Sequence, residues 1–160
     1  MSAKSSFYTI AYREGTLSLI DQRKLPTEEV YLDLSDLESV ARSIETMVVR
    51  GAPAIGITAA YGIVIAAHTN IDFQEAHERL ARTRPTAVNL FWALDRMKKL
   101  WTQSCDFKTL EAEANAIYEE DVAACRSMGE HGAALINDGA TILTHCNAGA
   151  LSTSEYGTAL

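Results

Sequence analysis

Three prolines and nine glycines in 160 residues are too few for a collagen-like repeat or a low-complexity tail. Three cysteines, at 105, 125 and 146, are an odd number without a CxxC pair, which argues against a disulfide framework or a zinc site and predicts reduced thiols. Positive charge is also scarce. Fourteen Lys and Arg against 21 Asp and Glu leave a net charge of −7, so the chain as a whole should repel nucleic acid and anionic membrane. Any phosphate must therefore be gripped locally. The N-terminal MSAKSSFYT has no apolar run after Lys4, so no secretory signal is seen and a cytoplasmic location is expected. The longest apolar stretch, 52–67, holds two glycines, a proline and a tyrosine and falls short of the roughly 20 residues that span a bilayer. No GxGxxG, Walker, HExxH or GxSxG pattern occurs, so dinucleotide, nucleoside-triphosphate, zinc-protease and serine-hydrolase chemistry lack their usual signals.

What is present is a globular composition, 48% hydrophobic and 22% charged, on a chain long enough to bury roughly 68–70% of its unfolded surface. The first 34 residues read as strands. Tyr8, Ile10 and Tyr12 alternate with Thr9 and Ala11, Glu14-Gly15 supplies a turn, and Leu17 and Leu19 resume the period of two; 29–34 alternates again. A small antiparallel sheet is expected. Helices follow: one over 37–50, started by a capping box at Ser35 and Glu38 and stopped by Gly51; a second from Pro53, apolar all round and therefore central; a third over 72–81. A fourth after Pro85 buries Leu90, Phe91, Leu94, Met97 and Trp101, and a long fifth runs from an Asp106 cap to Asn137-Asp138-Gly139 unless Gly129 and Gly132 kink it or end it early. Thr141 to Thr144 then read as a β-prone run, and a second S-x-x-E box at Ser152 and Glu155 as a helix start. The expected class is α+β: a small N-terminal sheet with a helical bundle over 1–138, then over 139–160 the first βα unit of a doubly wound domain.

Three positions carry candidate chemistry. Cys146 falls at the carboxyl end of the 141–144 strand, before a helix start, where ligands gather in open α/β sheets and thiol pKa values fall. A buried structural cysteine is the plainer alternative. Arg50-Gly51-Ala52-Pro53 joins a guanidinium to small residues and a helix start, a combination that can hold a phosphate but is also ordinary chain punctuation. Arg84 before Pro85 is pushed into extended backbone and can project from the bundle, or simply be a solvated surface Arg. His145 and Cys146 are adjacent on a strand and face opposite ways, which disfavours a dyad. Cys105 and Cys125 have no such setting.

Three segments together, VVRGAPAIGITAAYG at 48–62, TRPTAVNLFWALDRM at 83–97 and ILTHCNAGALSTSEYGTAL at 142–160, resemble the signature stretches of the methylthioribose-1-phosphate isomerase family. That superfamily also holds ribose-1,5-bisphosphate isomerases and the regulatory subunits of the translation initiation guanine-nucleotide exchange factor, which offer the alternative of a protein-interaction module. The resemblance implies a cofactor-free aldose–ketose isomerisation of a small phosphorylated sugar in methionine salvage. It also implies Cys146 as active-site cysteine, Arg50, Gly51, Ala52 and Arg84 as substrate contacts, and a homodimer. It places an acidic catalytic partner in the remainder of the second domain, so the chain alone is expected to be inactive and to need that C-terminal domain.

Overall fold

The computed structural model describes residues 7–103 and 106–159; Cys105 lies outside them. Strands β1 (Ile10–Arg13), β2 (Thr16–Ile20) and β3 (Tyr31–Leu34) form one antiparallel sheet in that order. Arg13 pairs with Thr16 across a two-residue turn in which Glu14 and Gly15 both have positive φ, 47° and 82°, the twist a tight hairpin needs. Alternation decides which face is buried: Leu17 and Leu19 point into the core while Ser18 faces outward to the Tyr8 hydroxyl.

Five helices complete the α+β architecture: α1 (Leu37–Glu45), α2 (Ala52–His68), α3 (Phe73–Ala81), α4 (Val88–Gln103) and α5 (Phe107–Ala133). Helix α2 is the axle, with every residue from Ala54 to Ala66 buried and α1, α3, α4 and α5 packed around it. Full burial of side chains such as Ile57, Ile63 and Ile65 contributes about 1.5–3 kcal/mol each, which fixes this helix at the centre. The sheet meets α2 through Tyr12, stacked on Tyr61 at 4.7 Å; burial, with the charge of Glu111 adding, pushes the Tyr12 hydroxyl up to about 12. Around the outside, arginines staple helices together. Arg79 on α3 donates to Glu38 and Glu45 of α1, and Arg96 on α4 donates to Glu113 and Glu120 of α5.

Several local expectations are corrected. Helix α1 is capped by Asp36, whose carboxylate accepts from the Ser39 N–H at 2.8 Å, and not by Ser35. It stops at Glu45 rather than Arg50, because Met47 adopts a left-handed φ of 61° and the Val48 N–H turns back to the Ser43 carbonyl. Helix α5 runs through Gly129 and Gly132 but ends at Ala133, ahead of Asn137. Of the face expected on α4, Leu90, Leu94 and Met97 are buried, while Phe91 and Trp101 are half-buried.

The largest difference lies at 139–160. No strand forms at 141–144, where Leu143 is 96% exposed, since no second strand is there to satisfy its backbone groups. The Ser152–Glu155 box starts no helix either: a single 3-10 turn, Ala150–Ser152, is followed by Ser154, whose N–H and hydroxyl both donate to Asp121 of α5 at 2.8 and 2.7 Å. Glu155 pairs with Arg126 instead of capping.

Candidate functional site

The first turns of α2 and α4 lie side by side and open on one cavity of about 410 Å³, walled by Pro53, Gly56 and Ile57 from α2, by Val88 and Trp92 from α4, and by α5. A polypeptide that buries α2 along almost its whole length leaves its N-terminus as the exit to solvent: Ala52 and Arg50 are exposed and Gly51 half-exposed. No side chain caps this end, so backbone N–H groups and the positive end of the helix dipole are left for an anion. Gly51 has φ of 103°, and a Cβ there would collide with the backbone and side chain of Ser152. Glycine is therefore required both for the turn into α2 and for the docking of the 3-10 turn.

Arg50 leans over the Gln22 carbonyl at 3.3 Å. Gln22 is itself buried and holds the other side of the site, donating its backbone N–H to Val48 and its side-chain amide to the Leu151 carbonyl at 2.6 Å. Thr9 donates to the neighbouring Ala150 carbonyl at 2.9 Å. The structure thus gathers Arg50, Gly51 and Ala52 with the segment just beyond Cys146. Arg84 sits half-buried in the α3–α4 turn, its carbonyl accepting from Ala87 and its chain leading directly to Val88 at the cavity.

Charge distinguishes these arginines from their neighbours. Arg23, Arg42, Arg79, Arg96 and Arg126 are each held by carboxylates, whereas among the described residues Arg50 and Arg84, together with Arg13 and Arg82, form no ion pair. An unpaired guanidinium beside an uncapped helix start is what a phosphate dianion needs. Cys146 is not brought to this cavity. It is exposed, in a left-handed conformation with φ of 68°, four residues before the docked turn. Cys125, by contrast, is buried against Thr153 and Gly157, and burial with the Asp121 charge adding pushes its thiol up, so it is held protonated and inert.

Reading residue types missed Gln22, Asp121 and Trp92. Asp121 had a visible signal, since it falls on the stripe Ala114, Ile117, Cys125 that faces the core, where a carboxylate without a task is costly. Trp92 had none; it lies off the expected buried face and matters only because α5 closes the cavity beside it.

An antiparallel three-stranded sheet on a bundle with a buried central helix, and an unpaired arginine at that helix's uncapped start, defines an α+β domain with a cationic mouth. Residues 48–155 match the Initiation factor 2 subunit family, and the chain belongs to it. It is 51% identical to methylthioribose-1-phosphate isomerase of Geobacter metallireducens over 97% of its own length and 49% of that protein's, and 50% identical to the same enzyme of Thermotoga petrophila over 95% and 47%. Among solved structures it is similar to 5-methylthioribose 1-phosphate isomerase from Pyrococcus horikoshii (TM-score 0.89, 41% identity, 96% of this chain and 47% of that one). It is also similar to translation initiation factor eIF-2B, subunit delta, from A. fulgidus (TM-score 0.78, 39% identity). The chain spans about half the length of the relatives it matches.

Proposed function

We propose that this chain forms the phosphate-gripping half of an aldose–ketose isomerase that converts 5-methylthioribose 1-phosphate to 5-methylthioribulose 1-phosphate. The observation that carries the reading is the convergence of two helix starts, each preceded by an unpaired arginine, on one cavity. The phosphate rests on Arg50, Arg84 and the first N–H groups of α2, with Gly51 and Ala52 small enough for close backbone approach. The C1 phosphate locks the sugar as a ring. Reaction therefore breaks the bond between C1 and the ring oxygen, delivers a proton to that oxygen, carries the C2 hydrogen to C1 and leaves a carbonyl at C2 as the 2-hydroxyl proton departs. Cys146 faces the reacting carbons in this reading once the 141–144 strand finds partners in a second, doubly wound domain that begins at 139 and continues in the C-terminal half present in the relatives.

The same reading carries a homodimer, a cytoplasmic setting and a place in methionine salvage as further expectations. No helix of the described residues is long and apolar enough to cross a membrane. The likeness to eIF-2B subunit delta supports a second reading, a protein-interaction module on the same fold. Thermal denaturation with 5-methylthioribose 1-phosphate separates them, because a ligand stabilises only what it binds. The enzyme reading expects a rise in Tm that is lost in Arg50→Ala and Arg84→Ala, and no turnover by the chain alone. A rise that survives both substitutions, or no rise with or without the C-terminal half supplied, overturns it.

A further inference from the structure

We propose that the cavity between α2, α4 and α5 receives the apolar 5-substituent of the sugar, with Trp92 as the residue that selects it; the inference rests on the phosphosugar reading above. Phosphate and 5-substituent lie at opposite ends of the sugar. With the phosphate at the two helix starts, Pro53, three residues past Arg50, and Val88, four past Arg84, mark where the rest of the molecule must go. The wall there is made of Pro53, Ile57, Val88 and Trp92, which offer dispersion contact and, from the indole, a favourable partner for a thioether sulfur.

The two carboxylates in the same wall are already engaged, and Asn89 and the Trp92 indole are its other polar side chains. Glu120 is held by Arg96, and Asp121 accepts from both the N–H and the hydroxyl of Ser154. A 5-hydroxyl entering here would exchange water for a mostly apolar wall, and a 5-phosphate would meet two carboxylates. The cavity thus favours a methylthio group over a hydroxyl by apolar contact and disfavours ribose 1,5-bisphosphate by charge. Trp92 is also held in place. The Arg96 guanidinium lies 5.1 Å from its ring centroid and is itself fixed by Glu113 and Glu120, so the indole stands 46% exposed at the rim without being loose.

The chain has two tryptophans, and Trp101 packs on Phe73 away from the cavity, which provides an internal control. NMR titration follows both indole N–H signals and the Gly51 and Ala52 amides with 5-methylthioribose 1-phosphate and with ribose 1-phosphate. The expected result is that both sugars shift the amides, only the methylthio sugar shifts Trp92, and it binds roughly tenfold tighter or more, the discrimination an apolar pocket can reach. Trp92→Ala brings the two affinities within about threefold by the same argument. Val88→Glu, at a position 78% exposed and so of little consequence for folding, does likewise. Equal affinities in the unaltered chain, or amides that respond while Trp92 does not, would overturn the subsite and leave the phosphate reading standing. Amides that respond to neither sugar sink both.

Discussion

Leu17 and Leu143 are the same residue in similarly β-prone surroundings, yet one is completely buried in a ladder and the other is 96% exposed with no ladder at all. The difference between the 10–133 region and the 139–147 stretch is not propensity but partnership. Strand β2 is flanked on both sides by antiparallel neighbours; the 141–144 run has no like segment in the chain to pair with. A strand is a property of a pair, and its sequence signal states only what would happen if a partner came. The 148–158 segment makes the same point from the other side, because where it does find partners, in Gln22, Thr9 and Asp121, it settles into an ordered turn.

The comparison is tested most severely by supplying the partner. With the C-terminal half of a relative added or fused, Cys146→Ser is expected to lower kcat by about 10²–10⁴ with KM little changed, as for loss of a positioned acid–base group; wild-type turnover would remove Cys146 from the chemistry. Stability should divide along the same line. Leu90→Ala, in the packed bundle, is expected to cost about 2–5 kcal/mol by urea denaturation, whereas Leu143→Ala should stay within about 0.5 kcal/mol. Asp121→Ala removes the acceptor of two Ser154 bonds, so the Ser154 amide should lose most of its protection from hydrogen exchange while α2 amides keep theirs. The smallest effect concerns pH. Arg79 first, then Arg42, holds the Glu38 carboxyl down from its ordinary value of 4.5 to about 2. A carboxyl depressed in the fold stabilises above its ordinary value and loses that contribution as pH falls from 4.5 towards 2. Arg79→Ala should flatten the fall in Tm across that window; an unchanged profile would show that the exposed pair contributes nothing.

Much of the bundle was legible. Alternation gave the hairpin and β3, and an apolar run with no polar face announced α2 as the buried axle. What escaped depended on groups distant in sequence. Ser35 is the expected cap of α1, but the Ser39 N–H meets the Asp36 carboxylate instead. Met47 gives no hint of a left-handed turn, which follows from Val48 and Val49 having to reach the core. At the site, the Arg50–Ala52 segment leads into Pro53 and the Arg84 turn into Val88, both in the cavity wall, whereas Cys146 lies exposed outside that wall, since the strand that was to aim it needs neighbours. Trp92 acquires meaning only when α4 is laid beside α5.

Gly56 faces the Asn89 backbone so closely that a Cβ would lie 2.7 Å from its carbonyl oxygen. A single hydrogen atom in place of a methyl group therefore gauges the span between the two cationic loops. Widening it by one carbon would push α4 away from α2 and leave each arginine intact on a loop set further from the other.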